Sequence, residues 1–145
     1  MSTMAKTPDT SFIRLDPDAH TQPFWDAAKD HRLVAAKCAA DGTVVMPPTG
    51  YCPKCRGTEM EWVDLSGRAT LYTYTVVRHA VIPAVTQTLP YVIGIVKLPD
   101  ADDVKMITNI VDCDVDELKI GQELEVVWHE HSPEFTLPLF RPAGS

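Results

Sequence analysis

The stretch KCAADGTVVMPPTGYCPKC, residues 37–55, decides how the first half of this chain folds. It ends in a C-x-x-C knuckle, Cys52-Pro53-Lys54-Cys55, and thirteen residues separate that knuckle from Cys38. Three thiolates fall one short of an all-cysteine set. The place that would complete a first knuckle is Asp41, within Cys38-Ala39-Ala40-Asp41-Gly42, where the glycine supplies a tight turn. Zinc accepts carboxylate oxygen as well as sulfur, at bond lengths of roughly 2.0–2.3 Å, so Cys38, Asp41, Cys52 and Cys55 make a chemically allowed site of three thiolates and one carboxylate. A structural zinc binds with on the order of 10 kcal/mol in zinc-finger peptides, enough to order a segment of this length.

Around the knuckles lie short extended pieces, Leu33 to Lys37, Thr43 to Met46 and Glu59 to Val63, punctuated by glycine and proline. Independent units shorter than roughly 40 residues usually need a metal, a disulfide or a partner to hold them. The cysteines sit in that segment. Just upstream, Pro23 to Asp30 reads as a short amphipathic helix, with the proline suited to its first turn and Phe24, Trp25 and Ala28 on one face. Two adjacent aromatics on so short a helix require a covering surface, either the body of this chain or another chain. Residues 1–20 are polar, hold Pro8 and Pro17 and keep no sustained period, which predicts a mobile or surface-draped arm.

Beyond Gly67 the pattern changes to strands: Arg68 to Arg78, Tyr91 to Leu98, Val104 to Val111, Glu123 to His131 and Glu134 to Phe140. Pro83, Pro90, Pro99, Gly121 and Pro133 punctuate the connections. Leu124, Val126 and Trp128 alternate with Glu123, Glu125 and His129, giving one apolar and one polar face. Asp114 to Gly121 reads as a single helical turn between the third and fourth strands. Five strands in that arrangement predict a small barrel of the OB type over residues 65–145, after a helix and metal ribbon over 21–64. The fold class is therefore mainly β.

Charge and length exclude several roles. The 145 residues carry 13 Lys+Arg against 20 Asp+Glu, a formal charge of −7, with no basic run longer than the Lys54/Arg56 pair. Phosphate-backbone affinity comes from clustered cations, so a general nucleic-acid binder is disfavoured. Lys97 interrupts the best apolar run, Tyr91 to Leu98, far short of the roughly 18 residues a membrane span needs. The N-terminal stretch lacks a basic start followed by an apolar core, so the expected compartment is a reducing cytoplasm. There, closely spaced cysteines more often hold metal than form disulfides. Cys113, far along the chain from the knuckles, is expected to be a small core residue.

In order, PFWDAAKDHRL, KCAADGTVVMPPTGYCPKC, GRATLYTYTVVRH, LPYVIGIVKL and DELKIGQELEVVW resemble the DUF35 family over about Pro23 to Phe140. That resemblance implies a rubredoxin-like zinc ribbon followed by an OB-fold. It also implies an accessory subunit in a hetero-oligomer, whose larger partner is a thiolase first, then a lipid-transfer-protein-like aldolase or a hydratase. In such assemblies the OB domain is expected to contact acyl-CoA, a CoA thioester, while ribbon and helix help dock the catalytic chain. The chain departs from the family pattern twice. Asp41 stands at the second cysteine, and Thr49 follows Pro47-Pro48 where arginine is frequent.

Neither a G-x-S-x-G elbow nor an H-E-x-x-H motif is present, so no independent catalytic centre is expected. His129 and His131, two apart at a strand end, read as solvated residues near the turn that Pro133 enforces. Candidate contacts to acyl-CoA or a partner are Phe24, Trp25, Tyr72, Tyr74, Arg78, His79 and Ile82. Tyr72 and Tyr74 are expected to share a strand face, where they would stack bases, meet a ligand or pack inward. Val81, Ile82, Val85 and Leu89 form an apolar loop, and exposed apolar area marks interaction sites. The alternative function is a single-stranded nucleic-acid-binding ribbon/OB protein. A rubredoxin-like electron carrier needs four thiolates around iron, which Asp41 disfavours.

Overall fold

The computed structural model describes residues 3–144, in which alternating burial along the strands produces the barrel. In β5 (Tyr91–Leu98), Val92, Val96 and Leu98 point inward while Tyr91, Ile93, Ile95 and Lys97 point out. Its neighbours are β4 (Arg68–Val77) and β6 (Val104–Ile110), both antiparallel to it. β7 (Glu123–Glu130) pairs with β4 and with β8 (Thr136–Pro142), and a single parallel pair, Ile110 with Phe140, joins β6 to β8. The order β4-β5-β6-β8-β7 closes the barrel. Phe140, Leu71, Leu98, Ile110 and Leu124 are its largest fully buried side chains. Gly94 faces this core because a Cβ there would lie 2.8 Å from Ile110 Cγ1, inside any real contact distance.

The ribbon is a three-stranded antiparallel sheet with β1 (Val34–Cys38) between β2 (Val44–Val45) and β3 (Met60–Asp64). Helix α1 (Gln22–Lys29), with Thr21 at its N-cap and a proline in its first turn, buries Phe24, Ala27 and Ala28. Phe24 and Ala27 join Leu33, Val34 and Ala35 in the same core cluster as the barrel residues. Ribbon and barrel thus share one apolar interior. Trp25 meets Phe24 and Phe135 edge to face, at centroid distances of 5.2 and 5.8 Å, and so ties α1 to the β7–β8 turn.

Residues 3–13 run over the barrel. Ala5 N–H donates to Cys113 O at 2.8 Å, Lys6 N–H to Pro90 O at 2.9 Å, and Val115 N–H to Thr3 O at 2.8 Å. These bonds bear on the Asp114 to Gly121 stretch, which forms turns and not the expected helical turn. Its first residues pair outward with the arm, Asp114 bridging Met4, while Gly121 N–H donates to Leu71 O at 2.7 Å. One turn closes locally, Glu117 N–H donating to Asp114 O at 3.0 Å, but the Gly121 N–H that would continue it is held by β4. No helix of the chain, among the described residues, is long and apolar enough to cross a membrane.

Phe140→Ala should remove a fully buried ring at the seam of β6 and β8, lowering stability by about 3–5 kcal/mol in equilibrium denaturation. A loss below about 1 kcal/mol would show that this position is not the centre of the core.

Candidate functional site

Two turns of the ribbon have matching backbones. In the first, Gly42 N–H donates to Cys38 O at 2.9 Å and Cys38 N–H to Thr43 O at 2.7 Å. In the second, Arg56 N–H donates to Cys52 O at 2.9 Å and Cys52 N–H to Gly57 O at 2.8 Å. Both turns use a positive φ after the fourth residue, +78° at Gly42 and 64° at Arg56. The fourth residue of each is bonded alike: Thr43 N–H donates to Asp41 Oδ1 at 2.9 Å, and Gly57 N–H to Cys55 Sγ at 3.4 Å. Asp41 therefore occupies the place in the first knuckle that Cys55 occupies in the second.

The donor atoms of Cys38, Asp41, Cys52 and Cys55 all lie within 4.8 Å of one another. Cys38 Sγ is 3.5 Å from Cys55 Sγ, and Cys52 Sγ is 3.6 Å from each Asp41 oxygen. A tetrahedron with Zn–S bonds of about 2.3 Å requires sulfurs roughly 3.8 Å apart, and the shorter Zn–O bond brings oxygen slightly closer. The spacing fits a tetrahedral cation. Cys38 and Cys52 are buried and Cys55 and Asp41 exposed, so one edge of the site faces solvent.

Electrostatics agree with that fit. The Thr43 backbone bond, aided by the Cys38 thiol, holds the Asp41 carboxyl well below the usual carboxylate range. At Cys55 the Gly57 N–H favours thiolate, but the Cys38 thiol, burial, the Cys52 thiol and the Asp41 charge outweigh it and push the thiol up to about 11. Backbone N–H bonds, that of Cys55 first, lower the Cys52 thiol, so crowding opposes ionisation at Cys55 and not at every donor, and a bound divalent cation would reverse that opposition. Cys113 is separate from the cluster: burial, then the charges of Asp112 and Asp114, push its thiol up to about 11, as expected of an inert core cysteine.

The other sequence-predicted residues are not gathered into one site. Phe24 is buried in the shared core and Trp25 is half-buried against it, and both line one surface groove. Tyr72 and Tyr74 do not share a face, contrary to their spacing, because the β4–β5 register shifts between Leu71 and Thr73. A bulge breaks the two-residue period. Tyr72 is left exposed, whereas Tyr74 packs on the core and donates its hydroxyl to Leu118 O at 3.3 Å. Arg78 lies 3.8 Å from Asp116 in an exposed ion pair, and His79 and Ile82 are exposed on the loop after β4.

Sequence reasoning missed His131. Its Nε2–H donates to Ile13 O at 3.0 Å, and Nδ1 lies 2.9 Å from Thr10 Oγ1, so the imidazole clasps the arm with both nitrogens. With Nε2 donating, the neutral ring leaves Nδ1 to accept from the threonine hydroxyl. A period-2 pattern carries no signal for a bond 118 residues away.

Comparison with known proteins now gives these features a family. The ChsH2 rubredoxin-like zinc ribbon domain matches residues 25–61, and the ChsH2 C-terminal OB-fold domain matches residues 62–129. A probable enoyl-CoA hydratase alpha subunit of Thermomonospora curvata is 39% identical over 121 residues, covering 83% of this chain. The chain spans only 37% of that subunit's length. A DUF35 domain-containing scaffold protein of Methanocaldococcus jannaschii is 38% identical over 106 residues, covering 72% of this chain and 73% of the relative. Among solved structures, a chain of an Ltp2-ChsH2(DUF35) aldolase superposes with a TM-score of 0.80 at 35% identity, covering 90% of this chain and 99% of that one. A rubredoxin-like ribbon carrying paired knuckles, joined through one core to an OB barrel and matched along both parts, makes this chain a member of the DUF35 family.

Proposed function

We propose that this protein is a scaffold subunit that holds no catalytic centre of its own and supports a larger acyl-CoA-processing chain. The observation that carries the reading is the similarity, at 35% identity across 90% of this chain and 99% of the other, to a chain of a solved Ltp2-ChsH2(DUF35) aldolase. Relatives named as alpha subunits of an enoyl-CoA hydratase and of a 3-oxo-4,17-pregnadiene-20-carboxyl-CoA hydratase support it. These names put hydratase and aldolase partners ahead of the thiolase favoured from sequence.

The chemistry of the chain is consistent with a supporting role. The hydroxyl–imidazole pair of Thr10 and His131 has its second ring nitrogen bonded to the Ile13 carbonyl, the arrangement of a structural clasp. A scaffold raises rates by positioning substrate and catalytic groups, where a displacement of about 1 Å can cost on the order of 100-fold. The nucleic-acid alternative is weakened by the outward β5 residues Ile93 and Ile95, which offer aliphatic surface where base stacking needs aromatic faces. In the same reading, Cys38, Asp41, Cys52 and Cys55 hold a structural zinc, and Trp25, Tyr72, His79 and Ile82 lie at the contact with the partner or its CoA thioester.

Two measurements test this. Purified from its native host, the tagged chain should co-elute with a hydratase, aldolase or thiolase identified by mass, and thioester turnover should require both chains. Turnover by this chain alone would contradict the scaffold assignment. Metal analysis should find one zinc per chain, and Asp41→Ala should weaken retention against a chelator by at least ~10-fold, since loss of even an outer-sphere partner typically costs 10–100-fold. Asp41→Cys should retain zinc. Equal retention in the unmodified chain and Asp41→Ala would remove Asp41 from the ligand set.

A further inference from the structure

Ile107, in the middle of β6, is 70% exposed and stands between two apolar grooves. One groove, of about 350 Å³, separates β6 from β8 and is walled by Trp25 of α1 and by Met46 and Pro47 of the ribbon. The other, of about 510 Å³, separates β6 from the arm and the β4–β5 loop, and is walled by Phe12, Ile13 and Ile82. Ile107, Thr108 and Asn109 line both, so the two grooves form one surface with β6 as its ridge. Pairing extends the ridge sideways: Thr73, Ile95 and Ile107 lie in one cross-strand row. Val81, 87% exposed, continues the apolar area beyond the arm.

One end of this surface is cationic. Lys97 and Lys105 are cross-strand partners, and their ammonium groups lie 5.2 and 4.7 Å from the centroid of the exposed Tyr72 ring. Among the described residues neither lysine is paired with a carboxylate, although the chain carries seven more acidic than basic side chains. Two ammonium groups brought together on an acidic protein, without an internal counter-charge, are matched by a partner that supplies one.

We infer that the outer face of β4, β5 and β6, centred on Ile107 and bounded by Tyr72, Lys97 and Lys105, is the surface that docks the larger catalytic subunit. The complementary surface is an apolar hollow with carboxylates at one rim. The inference rests on the scaffold assignment above and adds to it the face, the anchor residue and the partner's chemistry. Shape favours a protein over a small ligand: small-molecule sites are concave, whereas the most exposed part of this face is a ridge flanked by grooves. The surface also takes its walls from arm, helix, ribbon and barrel together, so a partner seated on it reads all four parts at once. Apolar anchors seated in pockets and ringed by polar groups dominate binding at such interfaces.

The experiment places a photo-reactive amino acid at position 107 of the full chain in its native host, with position 120 as the control. Ile120 is also apolar and 62% exposed but belongs to neither groove. Position 107 should cross-link to a chain identified by mass as a hydratase, aldolase or thiolase, and position 120 should not. Ile107→Glu and Lys105→Glu should each reduce co-purification of that chain by at least ~10-fold, through a carboxylate facing an apolar surface and a reversed charge respectively. Both should keep the unmodified circular dichroism and Tm, since both positions are exposed. If the unmodified protein co-purifies with the enzyme and both variants do so equally, the face is wrong while the scaffold assignment stands. If position 107 cross-links to a second copy of this chain, or if Ile107→Glu loses only bound CoA thioester and keeps the enzyme, the docking inference is overturned. An unmodified protein that brings down no acyl-CoA enzyme overturns the scaffold assignment and this face with it.

Discussion

Four donor atoms within 4.8 Å of one another, on Cys38, Asp41, Cys52 and Cys55, offer a clamp to a segment that brings little else to its own stability. Between Leu33 and Asp64 the buried side chains are Leu33, Val34, Ala35, Ala36, Cys38, Val45 and Cys52, and several of these are small. An apolar interior of that size does not order thirty residues unaided. The knuckles fix β1 between β2 and β3, β1 offers Val34 and Ala35 to the shared core, and α1 packs there through Phe24 and Ala27. Through Trp25 and Phe135 the constraint reaches the β7–β8 turn, and through His131 the arm. The groove between β6 and β8 inherits one wall, Met46 and Pro47, from the ribbon. Loosening the knuckles therefore alters a surface of the barrel.

This organisation suits the scaffold role proposed above. The barrel is closed, with alternating side chains that leave Ile93, Ile95 and Ile107 facing out along a rigid sheet. The arm and the β4–β5 loop border that sheet, and Asp9 N–H, donating to Thr88 Oγ1 at 3.0 Å, joins the two. A docking face assembled from fixed elements positions a partner more reproducibly than separate loops do. His31 adds one more tie between the halves, its ring stacked on Trp128 at a centroid distance of 5.5 Å.

Much of this is legible in the chain. Cys-x-x-Cys with Gly42 and Pro53 announces the knuckles, and alternation along Tyr91 to Leu98 and Glu123 to Glu130 announces the strands, because each signal is local. The DUF35 likeness supplies the order of the parts. What stays hidden depends on long-range contact. The bulge at Tyr72 arises from how β4 pairs with β5, so spacing alone puts both tyrosines on one face. At Asp114 to Gly121 a local pattern suggests a helix, yet one turn forms and the Gly121 N–H goes to β4. Phe24 and Trp25 look equivalent in sequence, yet Phe24 is buried and Trp25 only half-buried, packed edge to face on Phe24 and Phe135. Ile107, Lys97 and Lys105 stand out only in three dimensions, because a lone exposed isoleucine or lysine is ordinary and only their convergence is informative.

A cation at the knuckles should hold the ribbon, while the barrel stands on its own core. Amide hydrogen exchange, compared between the zinc-loaded protein and the same protein after chelation, separates the two contributions. Exchange should accelerate by orders of magnitude across residues 34–64 and in α1, while β5 and β8 stay protected. Identical protection of residues 34–64 in both samples would mean that the ribbon is held by packing alone and that the cation plays no part.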